Sequence, residues 1–167
     1  SGLQACSSTS QRDSCRESLG AFSMNPELHE AVHEIVLEIV NASGIGDKKT
    51  EWAAYQKLVS ICENSEKSGR NHPFQWETLG DFTHDQNLAV NFYEKALSYA
   101  RAAELDEYIS SISLAIAEAL IDLGNTTKAR IFAAQANEAA EKTDDLELRT
   151  SVRDSLHESL CDVLEQA

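Results

Sequence analysis

Two stretches, LAVNFYEKALSYA (88–100) and KARIFAAQANEAA (128–140), decide how this chain folds. At an offset of 40 residues, Ala89 falls on Ala129, Tyr93 on Ala133 and Ala96 on Ala136. In each stretch apolar and small residues recur three and four places apart, the spacing of one helix face. Small side chains at those places let two helices approach closely, while larger ones fill the grooves between them. A helical pattern that returns after roughly 20–50 residues marks stacked hairpins, each burying its apolar face against its neighbour.

Working outward, the chain reads as helix after helix. Asn25 as cap with Pro26 at the first helical position starts one that runs to about Ala42. Its apolar stripe is Leu28, Val32, Ile35, Val36 and Ile39. SGIGD (43–47) breaks it, and a second helix is expected from about Thr50 to Glu66 with Trp52, Tyr55, Leu58, Val59 and Cys62 inward. After SGRNHP (68–73), helical stretches flank a THDQ turn. LDEYISSISLAIAEALIDL stops at Gly124, Thr126 or Thr127 is expected to cap the next helix, and the last begins near Asp145. That last helix carries Val152, Leu156, Leu160, Val163 and Leu164. No stretch alternates apolar and polar residues between turn signals, so the chain is expected to be all-α. Trp52, Trp76, Tyr93 and Phe132 sit on apolar helical faces and are expected in the core.

The first 23 residues, Ser-rich and polar, stand apart as an expected leader or added segment, with one helical domain over 24–167. Met24 is the only methionine, which makes it a candidate native start. LQAC (3–6) resembles a lipoprotein cleavage box but has no apolar run before it. Cys6, Cys15, Cys62 and Cys161 form no CxxC pair, which argues against a zinc knuckle and points to a reduced, cytoplasmic protein. A Cys6–Cys15 bridge stays open.

The net charge is −14. Residues 26–101 carry 7 basic and 12 acidic side chains, and residues 102–167 carry 5 and 14, so the excess grows toward the C-terminus. Such a field repels nucleic-acid phosphate and anionic membrane surfaces and attracts basic partners. No apolar run approaches the roughly 18 residues of a membrane span.

LHEAVHEIV (28–36) contains His29, Glu30 and His33 in the order H-E-x-x-H, which on a helix can present two zinc ligands and a general base. A catalytic zinc also needs a third ligand. Val36 and Ile39 stand where the extended motif needs glycine and histidine, and nothing marks Glu51, Glu63 or Glu66 as a substitute. His29, Glu30, His33 and Glu34 instead continue a polar stripe with Glu38. No metal, cofactor or catalytic residue is expected, and a zinc hydrolase on His29, Glu30 and His33 stands as the alternative. No serine or cysteine nucleophile pattern is present, and His84 has no recognisable partner motif.

Trp76-x-x-Leu79-Gly80 resembles the opening of a tetratricopeptide repeat, and Tyr93-Glu94-Lys95-Ala96-Leu97 the ending of its second helix. Ile116, Ala117 and Leu120, the Leu123-Gly124-Asn125 turn, and Ala129 and Ala136 repeat the pattern. The resemblance covers about 74–143. It departs from the family in a Gly80–Ala89 interval about three residues short, a period of 40 against the usual ~34, and a missing closing proline. The short interval implies a truncated first helix or a remodelled turn. The family implies a right-handed superhelix of antiparallel hairpins, here ended by a C-terminal capping helix, with no catalysis. It also implies a protein-binding concave face at Glu77, Asp81, Ser111, Leu114, Glu118 and Asp122, joined by Arg149, Arg153 and His157 if the last helix takes part. The lysine, arginine and asparagine clamp of chaperone-binding members is absent. The run from MNPELHEAVHEIV to HPFQWETLGDF looks like small bacterial immunity proteins, for which the partner would be a basic toxin domain. A self-assembling scaffold or homodimer is the remaining alternative.

Overall fold

The computed structural model describes residues 25–165, excluding the side chains of Leu156 and of 158–165. Expectations on residues 1–23, including Cys6–Cys15, and on the side chains of Leu156, Leu160, Val163 and Leu164 therefore lie outside the described residues. Among the described residues seven helices follow one another: α1 Pro26–Gly44, α2 Lys48–Lys67, α3 Pro73–Asp81, α4 Gln86–Ala102, α5 Asp106–Asp122, α6 Thr126–Ala140 and α7 Leu146–Glu165. The described residues contain no strand.

Side-chain caps set most of the starts. Asn25 Oδ1 accepts from Glu27 N (2.9 Å), Asp47 Oδ1 from Thr50 N (3.1 Å), and Asp85 Oδ1 from Asn87 N and Leu88 N (2.9 and 3.1 Å). Each satisfies an amide that the first helical turn leaves unpaired. His72 Nδ1 caps α3 by accepting from Phe74 N, and Asp145 Oδ1 caps α7 by accepting from Leu148 N. At α6 the cap is Asn125, whose Oδ1 accepts from Lys128 N, one residue before the expected Thr126 or Thr127. α5 lacks a side-chain cap; Asp106 and Glu107 in its first turn face the positive helix end instead. Gly124, at φ +74, takes the left-handed turn after α5, and Glu104, at φ 54, takes the same turn after α4 without glycine's freedom.

Consecutive helices pack on one another, and α3 also packs on α5 and α5 on α7. The main core runs from Val32, Ile35 and Ile39 of α1 through Leu58 and Cys62 of α2 to Trp76, Leu79, Tyr93, Leu97, Ile112, Ile116 and Ala129. A smaller cluster of Ala136, Ala140 and Val152 holds α7, with Leu114 and Leu148 against it. Small residues give the close approach that the repeat predicts. A Cβ on Gly80 would lie 2.4 Å from the Tyr93 ring, and Ser110 Oγ donates to Ala136 O (2.9 Å) across the α5–α6 contact.

The short Gly80–Ala89 interval has a structural counterpart. α3 has 9 residues against 17 in α5, so it is ~13 Å long rather than ~26 Å. The chain turns away at Phe82–Asp85 level with the first half of α2: Tyr55 Oη and Thr83 Oγ1 are 3.0 Å apart, and His84 Nε2 lies 3.5 Å from Glu51 Oε1. Nothing of α3 remains to cover the turn of α2 beyond. Trp52, read from the sequence as inward, is 61% exposed there. Ala54, Leu58 and Cys62 make the buried stripe of α2, and Trp52 stands ~120° round the helix from its centre.

Candidate functional site

Two surfaces merit description, and Asp81 belongs to each. The first gathers five of the expected concave residues. Glu77 of α3 points at α5, where Ser111 Oγ donates to Glu77 Oε1 at 2.6 Å across 34 residues of sequence. Asp81, one turn later, accepts from Tyr93 Oη at 2.9 Å. Glu118 lies on the same side of α5 as Ser111, followed by Asp122, which Gln86 Nε2 reaches at 3.5 Å.

Protein around these carboxyls removes water that would stabilise their charge. Burial pushes Glu77 up to about 7, the Ser111 hydrogen bond opposes it, and Asp81 adds to it. Burial also raises Asp81, against the Tyr93 hydrogen bond, and raises Glu118, helped by Asp122. Tyr93 is raised by burial and by Asp81, Glu77 and Glu118, and Tyr108 by burial, Glu77 and Glu107, so both stay neutral. The result is a ridge of crowded acids, half-buried at Glu77 and exposed at Asp122, with Asp81 and Glu118 open to solvent on their outer side and crowded by protein on the inner.

The remaining expected site residues divide. Leu114 is turned into the smaller core cluster against Ala136, Ala140 and Val152, so it supports α7 and does not line an open face. Arg149 is half-buried and Arg153 and His157 are exposed on α7.

Among the described residues the H-E-x-x-H stretch gathers no third ligand. His29 and His33 stack with ring centres 6.3 Å apart, and His29 also stacks on Phe74 at 5.1 Å. Glu51 is held by Lys48 at 2.8 Å and faces His84, while Glu66 pairs with Lys95. No group of three or more His, Cys, Asp or Glu among the described residues comes together in a way that could hold a metal ion.

The second surface is a cleft of about 880 Å³ between the α1–α2 hairpin and the α3–α4 turn. Its floor and walls are mainly apolar: Ile39, Val40, Trp52, Val59, Leu88 and Phe92. Trp52 stacks on Tyr55, ring centres 5.6 Å apart. Val40 at 52% and Leu88 at 41% exposure stand open on opposite walls. Glu51, Asp81 and Asp85 lie on the rim with Lys48 and His84. Sequence reasoning did not find this cleft, although the short Gly80–Ala89 interval was its signal. Neither family models, curated proteins nor solved structures give a match to the chain.

Proposed function

We propose that this chain is a non-catalytic protein–protein interaction module that binds a basic protein partner. In this reading its helices form a right-handed, tetratricopeptide-like superhelix of antiparallel hairpins with α7 as cap. The supporting observation is the Ser111–Glu77 hydrogen bond, which joins two residues expected on one concave face from successive hairpins. The α3–α5 and α5–α7 contacts fit the same stacking. A toxin domain bound for neutralisation is the sharper form, since a −14 charge accelerates encounter with a basic partner. A cytoplasmic setting belongs to the same reading, with Cys62 as a buried free thiol.

The test is capture from lysate of the source organism at low and moderate salt, read by mass spectrometry. A basic protein should be recovered, released by salt, and lost with Glu118→Lys and Asp122→Lys together, while Glu94→Lys on α4 leaves capture intact. Capture indifferent to the paired reversal would overturn the acidic-face reading. Recovery only of further copies of this chain would replace it with a self-assembling scaffold.

A further inference from the structure

We infer that the cleft between the α1–α2 hairpin and the α3–α4 turn is a docking groove for an amphipathic helix with basic flanks, supplied by a protein partner. The inference rests on the interaction-module reading for the class of partner, but it concerns a different surface from the acidic ridge.

Geometry argues for a groove rather than a small-molecule cavity. An enclosed site hides most of its ligand, whereas Trp52 and Val40 here are more than half exposed. The walls are helices, and the described residues offer no strand edge to extend, so the mode available is a helix laid against helices. Apolar side chains at helical spacing on the partner would meet Val40 on one wall, Leu88 on the other and the Trp52–Tyr55 pair on the floor. Exposed aromatic and aliphatic groups of this kind lose unfavourable contact with water on binding, and aromatic residues commonly anchor interfaces.

Charge selects the flanks. On the rim Lys48 and Glu51 pair with each other, which leaves the carboxyls of Asp81 and Asp85 in excess. With −14 on the whole chain, lysine or arginine beside the apolar stripe is favoured and carboxylates are repelled. The groove opens where α3 stops, at Asp81, after nine residues against the seventeen of α5.

The probe is a synthetic leucine–lysine peptide of about 18 residues, ~27 Å long when helical, with leucines on one face. It would be titrated into the full chain by calorimetry and by tryptophan emission. Trp76 is 3% exposed, so a blue shift reports Trp52. Saturable binding is expected, weakened severalfold by salt and at least tenfold by Val40→Asp or Leu88→Asp. Each added carboxylate strengthens general attraction to the peptide, so a loss of binding isolates the apolar contact. The two positions lie on different helices and are well exposed, so one variant serves if the other loses its fold by circular dichroism.

Equal binding to the variants, equal binding of a leucine–glutamate peptide, or no blue shift would overturn the proposal. So would self-association of the free protein that Val40→Asp abolishes, which would give the groove to a second copy. Peptide binding without the salt-released capture described above would fail the acidic-face reading alone. The reverse result would fail the groove alone.

Discussion

The two junctions that flank α3 and α4 are built from the same kind of helix and behave differently. Between the α3–α4 and α5–α6 pairs the fit is close: Ile112 and Ile116 are wholly buried, and Ser111 bonds to Glu77 across the stack, while within the α3–α4 pair Gly80 admits the Tyr93 ring. Between α1–α2 and α3–α4 the stack is only half closed. Leu58 and Cys62 are buried at one end, while Trp52 and Val40 stand open at the other. Nine residues in α3 rather than seventeen account for the difference. Shortening one helix in a stack thus leaves its neighbours' apolar sides uncovered and opens a cleft between them.

The widest gap between the junctions should show in stability. Ile112→Ala in the closed junction removes a fully buried side chain and should cost about 2–5 kcal/mol in urea unfolding. A loss below about 1 kcal/mol would break the comparison. Gly80→Ala should cost about 1–3 kcal/mol, because the added methyl meets the Tyr93 ring, whose hydroxyl is fixed by Asp81. Tyr93→Phe alongside it would sharpen the assignment, since a freed ring can shift and should recover part of the loss.

Glu77 gives the closed junction a pH dependence. Its folded value of about 7 lies above the ordinary 4.5, so the folded state keeps a proton that the unfolded chain has released. Stability therefore falls as pH rises from about 4.5 through about 7, and it is recovered on acidification across that window. Asp81 and Glu118 are raised too and act with the same sign. Glu77→Gln keeps an acceptor for Ser111 and should stabilise the protein by about 1–2 kcal/mol at pH 8, with a flatter unfolding profile between pH 5 and 8. An unchanged slope would mean that Glu77 is well hydrated. The smallest effect belongs to the open junction: Trp52→Ala should change stability by less than about 1 kcal/mol, a modest loss for so large a residue.

Much of this contrast was legible in the sequence, and the unread part has a physical cause. Asn25-Pro26, Asp145 and Gly124 fixed helix limits because caps and left-handed turns are local chemistry. The stripe Val32, Ile35, Ile39 was read correctly because α1 packs chiefly on one neighbour. Trp52 was misread because helical period reports an apolar side and not whether another helix covers it. That depended on where α3 ends, a tertiary fact carried only by the short Gly80–Ala89 interval. Glu77 and Ser111, expected on one face, do meet through a hydrogen bond, whereas Leu114, expected beside them, packs partly buried on the α7 cluster because its surroundings depend on α7.

The open junction itself is the claim to test first, by acrylamide quenching of tryptophan fluorescence in the wild type and in Trp52→Phe. The chain has two tryptophans, one exposed and one buried. The wild type should show one readily quenched component and one protected component, and Trp52→Phe should leave only the protected one. Two protected tryptophans in the wild type would contradict the account, because Trp52 would then already be covered in the free protein.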